Sequence, residues 1–393
     1  MGKGFFPPMR RLKTFARVGK LYLFGRWERR RIPLTRLFYH LRIRSLFHAF
    51  ERHLERPIQH LRLLTDRPRV RVYVDGKDAF ACILKWIRKA QHMIVIQMFI
   101  WKDDPTGRMV AEALLRAADR GVMVSISKEA LGDAFEWEED FLTTKNDRLG
   151  VWHRFWHHSN IEVLYGHHGD HAKVYTIDDR VLLLTGMNIA DEYRFDWHDL
   201  LIQVRSPALV QAYLSGGGRT DSLTLVMNQD SRSGIRPALR KFLQSAKRSI
   251  VLEHAYLSDP EVLQILARKS HTGVRITIIL PAHPDSHHYA NMQSVAWLIG
   301  HSSRQNLQIF LYPKMLHSKV TLVDHWRVFL GSANLMQESL DDMGEVNLLI
   351  DRSHHRALVK INTMVRLDIL KSRLIEAPPS LWWYQRILGW LRL

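Results

Sequence analysis

Two histidines, His171 and His317, each stand two residues before a lysine, Lys173 and Lys319. Imidazole titrates near neutrality, so one ring can attack phosphorus while another, protonated, releases a departing alkoxide. The lysines supply positive charge for the non-bridging oxygens of a phosphodiester, and the amides of Asn188 and Asn334, with the Ser332 hydroxyl, add donors for the same oxygens. Asp178 and Asp324 complete each set. The second histidine, lysine, aspartate and asparagine each lie 146 residues after the first, which points to two half-sites forming one composite site. On residue types alone either histidine could be the nucleophile.

These groups need strands to carry them. Side chains two apart on a strand share one face, so His171 and Lys173 point the same way. The apolar run Val181–Leu184 reads as a neighbouring buried strand delivering Asn188 from its end, and residues 320–323 and 328–330 repeat the pattern. Asp178 and Asp324 follow strand segments, which leaves them either a direct part in the chemistry or a structural turn. Two further carboxylates fall in the same register. Asp199 lies 28 residues after His171 and Glu345 lies 28 after His317, which makes both candidates for holding the second nitrogen of an imidazole. Which acid serves which ring is not readable. Phosphoryl exchange between histidines needs no Asp/His/Cys cluster, so the expected site has neither metal nor cofactor. His167, His168, His283, His287 and His288 have no partners at metal-ligand spacing and are read as surface or pocket-rim residues.

Histidine-x-lysine, aspartate five residues after the lysine, then Gly331-Ser332-Ala333-Asn334, resembles the phospholipase D superfamily, and the second copy matches at every motif position. The first copy has Thr185-Gly186 where Gly-Ser is usual. Its continuation, Gly186-Met187-Asn188-Ile189-Ala190-Asp191-Glu192-Tyr193, resembles the bacterial cardiolipin synthase branch, and Tyr256–Pro260 is similar to a stretch of that branch. Lys128-Glu129 departs from the Leu-Asp common in relatives. The resemblance covers roughly residues 70–370. It implies a covalent phosphohistidine on His171, with His317 protonating the leaving group and then deprotonating the acceptor. It also implies a phosphatidyltransferase making cardiolipin from phosphatidylglycerol; the alternatives are a hydrolytic phospholipase D and a nuclease.

The surrounding chain is read as two fused α/β/α lobes from one internal duplication, with mostly parallel sheets, because strands and helices alternate from Val70 onward. Its expected parts are a basic amphipathic region at 1–69, a first lobe at 70–214, a linker at 215–234 around Gly216-Gly217-Gly218, a second lobe at 235–370, and an amphipathic tail at 371–393. Of a net charge of +18, most sits in residues 1–70, where 18 Lys/Arg face four acids. Such a segment wants a polyanionic partner, an anionic membrane surface or nucleic acid. Both ends are rich in aromatics and leucine, which favours anionic phospholipid and disfavours nucleic acid. With no long uncharged apolar run, the expected location is peripheral, on the cytoplasmic face of a bacterial inner membrane. Oligomeric state is not readable. Cys82, the sole cysteine, is expected to be a buried apolar filler.

Overall fold

In the computed structural model, the described residues are 68–129, 151–165, 169–220, 222–229 and 232–390. Residues 1–67 of the basic amphipathic region, and His167 and His168, lie outside them.

The duplication builds two sheets. The first contains β1 (Arg69–Val74), β2 (Met93–Met98), β3 (Met123–Lys128), β4 (Ile161–Tyr165), β5 (Lys173–Ile177), β6 (Val181–Thr185) and β7 (Leu200–Arg205), in the order β1-β7-β6-β5-β2-β3-β4. The second contains β8 (Gly218–Arg219), β9 (Leu223–Gln229), β10 (Arg232–Ser233), β11 (Ser249–His254), β12 (Arg275–Pro281), β13 (Leu307–Tyr312), β14 (Lys319–Val323), β15 (Arg327–Gly331), β16 (Glu345–Ile350) and β17 (Arg373–Leu374). Its main path runs β10-β9-β16-β15-β14-β11-β12-β13-β17, with β8 paired to β9.

The two-lobed α/β organisation agrees with the sequence, but the strand directions need correcting. Only β2-β3-β4 and β11-β12-β13 pair in parallel; every other ladder is antiparallel. The parallel strands are joined through covering helices, whereas the short turn between β5 and β6 permits only antiparallel pairing; β6 and β7 are also antiparallel, across a longer connection that carries the short helix Asp191–Phe195. The layering differs too. One apolar core unites the inner faces of both sheets, including Val174, Leu182 and Leu184 from the first and Val320, Leu330 and Leu348 from the second. The outer face of the first sheet packs on the helices Gly76–Lys89 and Pro105–Asp119, and that of the second on Ile235–Gln244 and Pro260–His271. Burial on both faces explains why β6 reads Val-Leu-Leu-Leu-Thr with no polar alternation.

The stretch 215–234, expected as a linker, contributes strand β9 to the second sheet. β9 pairs with β16 from Leu223 to Asn228, so this stretch extends the second sheet. Its apolar alternation is masked by the glycines before it. In the tail, the helix Trp383–Trp390 docks against the helix His288–His301, with Gln293 donating to the Arg386 carbonyl at 2.5 Å. It leaves Trp382, Trp383, Tyr384 and Ile387 exposed. Cys82 is buried as expected.

Asp178 and Asp324 sit at hairpin turns, each followed by a second residue at positive φ: Asp178 at 50° and Asp179 at 52°, Asp324 at 55° and His325 at 64°. Aspartate tolerates this left-handed region better than most side chains. Each carboxylate accepts three consecutive backbone N–H groups, from Gln91, His92 and Met93 in one lobe and from Lys247, Arg248 and Ser249 in the other. Each therefore pins the start of a parallel strand at the end of the hairpin opposite the histidine. Seven residues of extended chain span roughly 20 Å, so neither acid reaches the chemistry. The catalytic expectation for Asp178 and Asp324 is thus corrected to a structural role. Asp178→Ala and Asp324→Ala should each cost about 1–2 kcal/mol in denaturant unfolding and leave kcat within a factor of about two. A large fall in kcat at unchanged stability would restore a chemical role.

Candidate active site

The two half-sites meet at a seam whose hydrogen bonds repeat about a pseudo-twofold axis. The His171 N–H donates to the Gly344 carbonyl at 2.8 Å, and the His317 N–H to the His198 carbonyl at 2.7 Å. In turn the Gly344 N–H donates to Gly169 and the His198 N–H to Met315. Single β-bridges, Asp170 with Gly344 and His198 with Leu316, mark the same crossing. A Cβ on Gly344 would stand 2.0 Å from Asp170 Oδ1, so any larger residue there would displace that carboxylate.

The side chains repeat the crossing. His171 Nδ1 lies 2.9 Å from Glu345 Oε1, and His317 Nδ1 lies 2.8 Å from Asp199 Oδ2. Each ring is held by the carboxylate of the other lobe, the pairing that sequence left open. An acceptor at Nδ1 fixes the proton of a neutral ring there and leaves Nε2 with its lone pair. Both lysines are buried, and each ammonium donates to the carbonyl of its own histidine at 2.5 Å.

Burial dominates the electrostatics. It holds the His171 imidazolium below its ordinary pKa, helped by Lys173 and opposed by Glu345. His317 lies well below its usual value for the same first reason, with Lys319 and Lys173 adding repulsion. Burial also pushes Lys319 down to about 8 and Asp199 up to about 7. Glu345 is buried as well, yet its carboxyl lies below the usual value because His171 and Lys173 outweigh the burial. The recess thus sets the ammoniums of Lys173 and Lys319 against the carboxylates of Glu345 and Asp199, and a bound phosphodiester anion would favour the charged form of both lysines.

The other expected donors are placed differently. Asn188 is buried; its Oδ1 accepts the Ile100 N–H at 3.0 Å, and its Nδ2 donates to the Tyr193 hydroxyl at 2.7 Å. Asn334 is buried with an Oδ1 that has no hydrogen-bond partner. Ser332 is committed to the sheet, its hydroxyl accepting the Val346 N–H at 3.0 Å, so its expected phosphate contact is corrected. The departure at Gly186 also has a cause: a Cβ there would meet Asp199 Oδ2 at 2.6 Å, inside the carboxylate that holds His317.

Sequence reasoning missed the aromatic walls. Phe99 meets the His171 ring edge-on at 4.9 Å and lies under the Lys173 ammonium at 5.1 Å. Tyr193 and Trp197 flank the His317 ring at 5.2 and 5.3 Å. Tyr256, buried, donates to Asp285. Tyr193 and Tyr256 fall in the two stretches that resemble the cardiolipin synthase branch, and the only signal for Phe99 was its place after a strand equivalent to the one before Tyr256.

The family model described as "Cardiolipin synthase, PLD-like domain" matches residues 83–215 and 239–363, one segment per half-site. The chain belongs to the cardiolipin synthase family of phospholipase D-like domains. It is accordingly an enzyme of the phospholipase D type. Within this family, cardiolipin synthase B of Escherichia coli (strain K12) is 24% identical over 80% of this chain and 84% of its own length. The cardiolipin synthase of Halalkalibacterium halodurans is 23% identical over 81% of this chain and 70% of its own. Among solved structures, phosphatidylserine synthase of Haemophilus influenzae Rd KW20 superposes with a TM-score of 0.65 at 13% identity, over 84% of this chain and 95% of that one. That likeness speaks for the fold.

Proposed function

We propose that this phosphatidyltransferase moves a phosphatidyl group from one phosphatidylglycerol to a hydroxyl of another, forming cardiolipin and releasing glycerol. The observation that carries the reading is the pair of histidines held crosswise by Glu345 and Asp199. His171 Nε2 attacks phosphorus, the bond to the glycerol oxygen breaks, and His317 Nε2 delivers a proton to that oxygen. The acceptor hydroxyl then gives its proton to His317 and displaces His171 from phosphorus. Lys173 and Lys319 balance the charge of the phosphoryl oxygens, and Asn334 with the remaining amide hydrogen of Asn188 completes the cradle. Although the recess disfavours a protonated His317, an incoming phosphodiester anion reverses the balance and raises the ring's affinity for its proton.

The substrate is an anionic phospholipid on a peripheral membrane surface, which we place on the cytoplasmic face of a bacterial inner membrane. The exposed Trp382, Trp383, Tyr384 and Ile387 support an interfacial contact. Among the described residues no helix is long and apolar enough to cross a membrane. Incubation with labelled phosphatidylglycerol vesicles followed by lipid separation tests the reading. A four-chain product with one glycerol released per transfer is expected. Phosphatidic acid alone would make the enzyme a hydrolase, and inert lipid with cleavage of nucleic acid would replace the reading.

A further inference from the structure

Three buried side chains that the transfer chemistry does not use converge beside the seam. His198 belongs to the stretch entering β7, Glu253 to β11, and Asp368 to the helix His355–Lys371. They are 5%, 0% and 1% exposed, and one ligand atom from each lies within 4.8 Å of the others. Each is held from outside. Asp75 Oδ1 lies 2.7 Å from His198 Nδ1, the Ser318 hydroxyl donates to Glu253 Oε1 at 2.6 Å, and the Lys371 ammonium donates to Asp368 Oδ1 at 3.1 Å. The remaining atoms, His198 Nε2, Glu253 Oε2 and Asp368 Oδ2, have no hydrogen-bond partner. Nε2 lies 3.0 Å from Asp368 Oδ2 and 3.6 Å from Glu253 Oε1, both ion-pair distances.

We infer that His198, Glu253 and Asp368 form a binding site for one divalent transition-metal ion, Zn²⁺ or Mn²⁺, that ties the C-terminal helix to the seam between the lobes. An imidazole with two carboxylates is a donor set for these ions. An acceptor on the far nitrogen of the imidazole is the usual support of a metal-bound histidine, and Asp75 provides it. Charge points the same way. Asp75, Glu253 and Asp368 face only the Lys371 ammonium in these contacts; against the effect of burial they favour a proton on His198, which a divalent ion would displace while cancelling the surplus negative charge. The duplication did not supply this cluster: Gly344 stands at the place equivalent to His198, and Gln97 at that of Glu253. The ion would act at a distance from phosphorus. Because the His198 carbonyl accepts the N–H groups of His317 and Ser318, it would fix the backbone that presents His317.

The full chain, stripped with EDTA, should take up one Zn²⁺ or Mn²⁺ in calorimetric titration and melt several degrees higher with the ion. Asp368→Asn and Glu253→Gln should each weaken that binding by about 100-fold or more, while His287→Ala leaves it unchanged. X-ray absorption of the Zn²⁺-loaded wild-type chain should find one imidazole among oxygen ligands, a readout that does not require the variants to fold. Absence of uptake by the wild-type chain would overturn the site and make His198 an imidazolium strut among carboxylates. Uptake that Asp368→Asn and Glu253→Gln do not alter, or a site with several imidazoles, would mean ions held by other histidines and would overturn it equally.

Discussion

Replacing His171 or His317 by alanine is expected to lower turnover by about 10⁴-fold or more, and replacing both should cost little beyond either alone. Each ring does something the other cannot do at the same moment: one attacks phosphorus while the other protonates the departing oxygen. Once either is lost, the remaining half-site has no complete reaction to accelerate, so the second loss adds little. Both side chains stand at strand ends on the seam, outside the three large apolar cores, so both variants should keep the wild-type unfolding midpoint within a few degrees. The measurement is single-variant and double-variant kinetics with an unfolding curve for each protein. A folded single variant with near-normal turnover would break the composite site apart.

The second large effect concerns the crossed carboxylates. Asp199→Asn and Glu345→Gln should each lower kcat by about 10²- to 10⁴-fold, although neither side chain touches substrate. These are positioning residues, holding the Nδ1 atoms at 2.8 and 2.9 Å so that each ring turns its Nε2 to the reaction, with the Lys319 ammonium 3.1 Å from that of His317. A pH profile separates this role from a merely structural one. Burial and Lys173 already hold the His171 pKa below its ordinary value, and the Glu345 charge partly offsets them by favouring the imidazolium. Removing that charge favours the neutral ring further. The acidic limb of kcat/KM should therefore lie below the usual imidazole range in the wild-type enzyme and move to still lower pH in Glu345→Gln. A limb that stays in place or moves up would show that Glu345 does not act through His171.

Much of this arrangement was legible because strand geometry is local. Two-residue spacing put His171 and Lys173 on one face, and the 146-residue repeat located Asp199 and Glu345 before any contact was known. The crossing itself was hidden. Glu345 lies 174 residues from His171, and only the seam between the lobes decides that it reaches across rather than back to its own lobe. Residues 223–229 were misread because glycine-rich punctuation before a strand looks the same as a linker until its partner, β16, is known. The cluster of His198, Glu253 and Asp368 escaped for a related reason. Its members come from three distant segments, and metal-ligand spacing in sequence detects only ligands that share one turn or helix.

The most direct test of the account is to stop the enzyme in acid-free quench during turnover of phosphatidylglycerol labelled at phosphorus and to map the labelled residue. The account predicts an acid-labile phosphoryl adduct on His171, present in wild-type protein and absent from His171→Ala. An adduct on His317 in the wild-type enzyme, or cardiolipin formed with no histidine labelled at any time during turnover, would contradict it.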